Sequence, residues 1–311
     1  MSAGRLLVIS LRKEDFELGE ALSEKLGFSF KQCADRNHVR NWLIDHPDAV
    51  VFWNADSSGL YEPVIDILPK YAATNRIFAL TERELVHYPH LYRNPTFRHQ
   101  VFRRDLDSVV KICPALVRCA LTRDPVRIER FFPKTTVLKR IFITRSAHRA
   151  AAIEAIQNSL TKQGVRGRIA ALVAEGVDEL IMNAVFHAPV NPDGSPRVIN
   201  RVADFELDTR EQVEVELAES EHYLGFSVGD LFGSFRSGHL ISALRRQYDE
   251  KKTTQLHLTA GLGFHKIMAG GLSLVMATEP NKCTRAMLFF PRTDSYKHFR
   301  TGFRFLSIFA E

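Results

Sequence analysis

The regular alternation of short apolar runs with amphipathic segments along residues 1–121 constrains this chain most. Arg5–Ser10 (RLLVIS), Phe28–Cys33, Ala49–Trp53 (AVVFW), Arg76–Leu80 (RIFAL) and Gln100–Arg103 read as strands. Glu14–Leu26 and Val39–Asp45 carry apolar residues at helical spacing, Phe16, Leu18, Ala21 and Leu22 among them. Leu106–Leu121 closes the region as a helix with Val109, Ile112, Leu116 and Val117 inward. Strands apolar on both sides must be covered on both sides, and strands joined by helices run parallel. The expectation is an α/β domain built on a parallel sheet.

Thr122–Thr136 (TRDPVRIERFFPKTT) has two prolines and several charges, so residues 122–136 read as a linker. A second domain follows over 137–295. Val137–Ile143 is its first strand, and Ala147–Gln163 and Arg166–Phe186 are helices. Val190–Asn200 is a loop with a turn at Pro192–Asp193–Gly194. Gln212–Leu217 alternates as a half-exposed strand and pairs with Tyr223–Val228. One mixed sheet with helices on one face is expected. Residues 296–311 form a basic, aromatic tail that packs on the core or docks a partner or a second subunit.

The chemistry concentrates in Asp178–Ala188 (DELIMNAVFHA). Glu179, Asn183 and His187 lie at i, i+4 and i+8, which puts carboxylate, amide and imidazole on one helical stripe. A carboxylate that takes a proton, beside an amide oxygen that holds a hard cation, suits a nucleotide–metal site. The plainer readings are a solvated Glu179, an Asn183 that caps a loop, and a structural His187. Tyr223–Gly233 reads as a strand ending in Asp230, where a buried carboxylate needs a partner, followed by a turn at Gly233. Thr259–Gly271 reads as a glycine-rich turn opening a helix, and Leu272–Thr278 as the next strand.

In this order the segments resemble the GHKL ATPases, the family of sensor histidine kinases, anti-sigma serine kinases, the gyrase ATPase domain and a class of heat-shock chaperones. ELIMNAVFHA resembles the N box, DLFGS and AGLGF the two glycine boxes, and PNKCTRAMLFFP (Pro280–Pro291) the last hairpin. The resemblance spans Lys139–Pro291. It implies a Bergerat-type α/β sandwich with a mixed sheet, and ATP and Mg2+ as cofactors. Glu179 would be the catalytic base and Asn183 the Mg2+ ligand. Asp230 would accept from the adenine amino group, with Gly233 allowing close backbone approach and Thr284 on the adenine side. Gly261, Leu262 and Gly263 would present backbone amides to phosphate at a helix start. Departures from the family pattern are Phe232, Ser234, Thr259–Ala260 and Cys283. Phe235–Leu258 stands where the family carries a lid, and its Arg245, Arg246, Lys251 and Lys252 could reach phosphate.

Residues 1–121 resemble the flavodoxin-like receiver domains of response regulators. A working receiver has an acidic pair after its first strand and a phosphorylatable Asp ending its third. Here Ser10–Leu11–Arg12–Lys13 follows the first strand, and the acidic pair is absent or displaced to Glu14–Asp15. The third strand ends in Trp53–Asn54, leaving Asp56 as the candidate phosphoacceptor. Thr81 matches the family's hydroxyl position, and Arg103 stands where Lys is usual. The expectation is a pseudo-receiver that takes no phosphate.

No two-helix hairpin bearing a phosphorylatable His fits between Leu121 and Val137, so a typical autophosphorylating histidine kinase is not expected. The closer resemblance is to anti-sigma serine kinases. It implies a bacterial signalling regulator that binds ATP and acts on Ser or Thr of a protein partner, such as a response regulator or sigma-factor regulator. The alternative is a non-catalytic pseudokinase scaffold. Net charge is +6, but no Lys/Arg stripe interleaves with aromatics, so nucleic acid is not the expected partner. Cys33, Cys113, Cys119 and Cys283 show no ligand spacing and read as thiols in a reducing cytoplasm. The sequence shows neither a signal peptide nor an apolar run near 18 residues, so a cytoplasmic protein is expected.

Overall fold

A computed structural model describes residues 4–56, 64–83, 87–88, 91, 97–122, 124–133, 136, 139–191, 193, 195–198, 204–238, 240–242, 244 and 262–310. The chain divides into two compact units, Met1–Asp124 with Phe303–Ser307, and Pro125–Gly302 with Ile308–Glu311.

The first unit holds strands β1 (Arg5–Ile9), β2 (Ser29–Cys33), β3 (Val50–Asn54), β4 (Ile77–Thr81) and β5 (His99–Phe102) in the order β2-β1-β3-β4-β5. Every neighbouring pair among them is parallel, as the alternating pattern requires. Leu7, Ile9, Val51, Trp53, Ile77 and Ala79 build a core with Val39 and Leu43 on one side of this sheet. The helices are α1 (Lys13–Leu26), α2 (Arg36–Asp45), the short α3 (Leu68–Tyr71) and α4 (Leu106–Leu121). Helix α2 starts three residues before the apolar pattern does, because Asp35 caps it by accepting from the His38 N–H at 2.8 Å. Helix α1 buries Asp15, Leu18, Gly19 and Leu22, whereas the apolar Phe16 is 37% exposed.

The tail does not hang free. Tyr296–Thr301 is helix α8, and Arg304–Ala310 is strand β11. Residues Arg304–Ser307 pair antiparallel with β5, so the end of the chain covers an edge that would otherwise offer unpaired backbone groups.

In the second unit the order is β9 (Ser273–Glu279), β10 (Cys283–Pro291), β8 (Tyr223–Asp230), β7 (Val213–Glu219) and β6 (Lys139–Ile143). These pairs are all antiparallel, where a mixed sheet was expected. The reason is topological. Strands β8 and β9 run the same way, but β10 inserts between them, so the crossover leaves no parallel ladder. Helices α5 (His148–Lys162), α6 (Gly167–Met182) and α7 (Leu262–Gly270) belong to this unit. At Gly176 of α6 a Cβ would come 2.6 Å from Leu272 and 3.1 Å from Leu288, so glycine lets the helix press onto the sheet face bearing Leu288. On the opposite face Phe132 lies against Gly225 and Phe289, and Phe131 packs on Phe289 at 4.8 Å. Ile128, Phe131 and Phe132 are buried, so much of the stretch read as linker is core of the second unit. Among the described residues, no helix is long and apolar enough to cross a membrane.

Candidate functional site

Glu179 and Asn183 sit where α6 changes pitch. The α-helix ends at Met182, and Asn183–His187 forms a wider turn in which the Ala188 N–H donates to the Asn183 carbonyl at 2.9 Å. Such i→i+5 turns insert a residue into a helix and recur at functional sites. The turn packs against β8. Glu179 and Asn183 are half-buried, whereas the widened turn carries His187 off their stripe into solvent. Asp178 is committed elsewhere: Arg149 grips it with two hydrogen bonds of 2.5 and 2.7 Å and so ties α5 to α6.

The first turn of α7 arrives directly on Glu179. A Cβ at Gly263 would collide with the Glu179 carboxylate, so only glycine fits there without moving that side chain. The sequence reading gave Gly263 to phosphate contact; the geometry adds a steric reason for the glycine. Leu262 is the first residue of α7, while Gly261 and the basic residues Arg245, Arg246, Lys251 and Lys252 lie outside the described residues.

The first glycine turn is fixed from both ends. At the end of β8, Asp230 Oδ1 accepts from the N–H groups of Phe232 (2.9 Å) and Gly233 (3.2 Å). Gly233 has φ +59°, and a Cβ there would come within 2.6 Å of the Lys282 N and 2.7 Å of the Asn281 N. This glycine is therefore required by the β9–β10 turn, whose Asn281 N–H donates to the Gly233 carbonyl. Ser234 Oγ donates to the Ala188 carbonyl at 2.9 Å and joins this loop to the widened turn that follows α6. Phe232 is half-buried with its ring 5.4 Å from the Arg197 guanidinium, which is itself forked onto Glu211. Cys283 accepts from Arg285 Nη1 at 3.0 Å and lies 3.5 Å from Glu279 Oε1, an ordinary strand position.

Asp230 is 5% exposed. Burial pushes its carboxyl up to about 6, against the pull of the Phe232 and Gly233 N–H groups. Thr284 stands opposite Asp230 on β10, and Thr278 stands opposite Thr284 on β9. Thr278 drew no notice in the sequence, because a threonine in a strand is ordinary.

These residues suit an adenine nucleotide with its metal. They supply a buried acceptor and, among the described residues, buried hydroxyls on Thr278 and Thr284 without hydrogen-bond partners. Among the described residues no group of three or more His, Cys, Asp or Glu is arranged to hold a metal. A magnesium ion carried on phosphates needs few protein ligands.

A different polar cluster lies at the carboxyl ends of the strands of the first unit. Arg103 donates to both oxygens of Asp15 (2.7 and 2.6 Å) and to Asp56 Oδ2 (2.7 Å). Its side chain is 4% exposed, and those of Asp15 and Asp56 are 0% and 9%. Ser10 Oγ donates to Asp15 at 2.5 Å, and Asn54 donates to Ser10 Oγ at 3.2 Å. Asp56 Oδ1 accepts from the Glu82 N–H (3.1 Å) and from the Tyr88 hydroxyl. Glu82 pairs with Arg12 and lies 3.5 Å from Arg103. Thr81 is buried beside this cluster at the end of β4. Of the pair Glu14–Asp15, only Asp15 turns inward. Its place at i, i+3, i+4, i+7 with Leu18, Gly19 and Leu22 was the signal in the sequence.

Comparison with models of known protein families gives no match, and comparison with curated proteins gives none.

Proposed function

We propose that the second unit binds ATP with Mg2+ in the manner of the GHKL ATPases, and that the protein is a cytoplasmic signalling regulator that phosphorylates Ser or Thr of a protein partner. The observation that carries this reading is the convergence of separated motifs. Gly263 of the second glycine box lies on Glu179 of the N box, and Ser234 of the first box is bonded to Ala188 at the end of the same helix. Thr284 of the last hairpin stands beside Asp230. The helix-backed sheet of this unit is consistent with a Bergerat-type layout.

In this reading Asp230 accepts from the exocyclic amine of the base, and Thr284 contributes a hydroxyl next to it. Asn183 holds the metal through its side-chain oxygen. The start of α7 turns backbone N–H groups toward phosphate. Glu179 takes the proton from the attacking hydroxyl of the partner. The nucleotide, when bound, supplies the phosphoryl group, and most of the protein's contribution is positioning and charge stabilisation. The partner would be a response regulator, a sigma-factor regulator or another signalling protein, and a homodimer is compatible with this role.

The strand order of the first unit supports a flavodoxin-like, receiver-like reading. Arg103 supports the pseudo-receiver form of it, because the candidate phosphoacceptor Asp56 is already held by Arg103, Tyr88 and the Glu82 N–H. That same observation favours a second reading of the whole chain, a scaffold that binds partners without ATP turnover. Thermal unfolding with Mg-ATP separates the two. Nucleotide at a hundred times its dissociation constant is expected to stabilise the wild type by about 2.7 kcal/mol. Asn183→Ala is expected to remove that gain, and no shift in the wild type would favour the scaffold.

A further inference from the structure

We infer that Thr278 is a third polar reader of the bound base, beyond Asp230 and Thr284; this rests on the adenine-nucleotide reading above. Asp230, Thr284 and Thr278 stand side by side on β8, β10 and β9. Directly opposed residues on neighbouring strands share a face and lie about 5 Å apart. The next rows on this face are Val228, Ala286 and Met276, then Phe226, Leu288 and Leu274. Leu288 lies under Gly176 of α6, so the polar row ends a face that is otherwise apolar and packed on that helix.

All three polar residues are at least nine-tenths buried. Asp230 takes its hydrogen bonds from the turn that follows it, but among the described residues the Thr278 hydroxyl, like that of Thr284, has no hydrogen-bond partner. A valine would fill the same volume without leaving a polar atom unsatisfied. The hydroxyl therefore gains a role only when something polar arrives over the row. A flat heteroaromatic base fits three polar groups spaced along one line. A 6-amino purine offers a donor to the Asp230 carboxylate and ring nitrogens that accept from the threonine hydroxyls. A 6-oxo purine would set an acceptor against the carboxylate.

Calorimetric titration of the full chain with Mg-ATP tests this, alongside melting without nucleotide. Thr278→Val is expected to weaken binding about tenfold and to raise the melting temperature of the free protein. Thr278→Ser, which keeps the hydroxyl, is expected to bind like the wild type. If Thr278→Val binds as tightly as wild type while Asp230→Asn loses binding, the role of Thr278 is overturned and the adenine site stands. If the wild type takes up no Mg-ATP, the adenine reading fails and the inference falls with it. A lower melting temperature for free Thr278→Val would give the hydroxyl a purely structural role and also overturn the inference.

Discussion

Both units place buried carboxylates at strand ends, yet they balance them in opposite ways. In the first, Asp15 and Asp56 share one buried guanidinium, and the remaining acceptors find Ser10, Tyr88 and a backbone N–H. In the second, Asp230 has no cation in its turn, its carboxyl is pushed up to about 6, and Thr278 nearby is left without a partner. A polar cluster that closes on itself stabilises the fold and offers little to a ligand. One left incompletely compensated costs stability until a ligand completes it. What separates the two is satisfaction, because the carboxylates of both are buried.

The largest test of this contrast is Arg103→Met. Removing one partner of a buried ion pair typically costs about 3–5 kcal/mol, so denaturant unfolding of the full chain is expected to show a loss of that size. A loss near zero would mean that the cluster is not held by Arg103.

Asp230→Asn is expected to act in the opposite direction. The folded carboxyl titrates near 6 and its unperturbed value is 3.8, so the folded state binds the proton more tightly than the unfolded chain does. The favourable contribution is therefore complete below about pH 4 and lost as pH rises through 6. At pH 7.5 the asparagine variant is expected to be more stable by roughly 1–3 kcal/mol, and the difference should vanish toward pH 4. An unfolding series over that range reads both the sign and the window. Nucleotide binding by the wild type is expected to weaken below pH 6, where Asp230 takes up a proton and stops being a pure acceptor.

Gly263→Ala sharpens the comparison at its smallest scale. Alanine favours the helix, by up to about 1 kcal/mol, but displaces the flexible Glu179 side chain. Unfolding free energy should change by no more than about 1 kcal/mol while phosphoryl transfer falls by about a hundredfold or more. Equal activity with unchanged stability would remove Glu179 from the role of base.

Much of this was legible in the sequence. The strands and helices stand close to where periodicity put them, since two-residue and 3.6-residue patterns are local. What escaped depends on distant partners. Asp15 was noted only as half of a displaced acidic pair, because its pairing with Arg103 joins residues far apart in the sequence. Phe131 and Phe132 were read as linker because prolines and charges surround them, and their burial depends on Phe289. The pairing of Arg304–Ser307 with β5 joins residues some two hundred positions apart. The widened turn at Asn183 has no sequence signature, because the residues there would also fit an ordinary helix. The four segments were each visible alone, but their meeting at Glu179, Ala188 and Asp230 is a property of the fold.

Calorimetric titration of the full chain with Mg-ATP at pH 7.5, wild type against Asp230→Asn, tests the adenine site most directly. The expected result is saturable one-site binding by the wild type and no measurable heat from the variant. Absence of binding by the wild type, or equal affinity in both proteins, would contradict it.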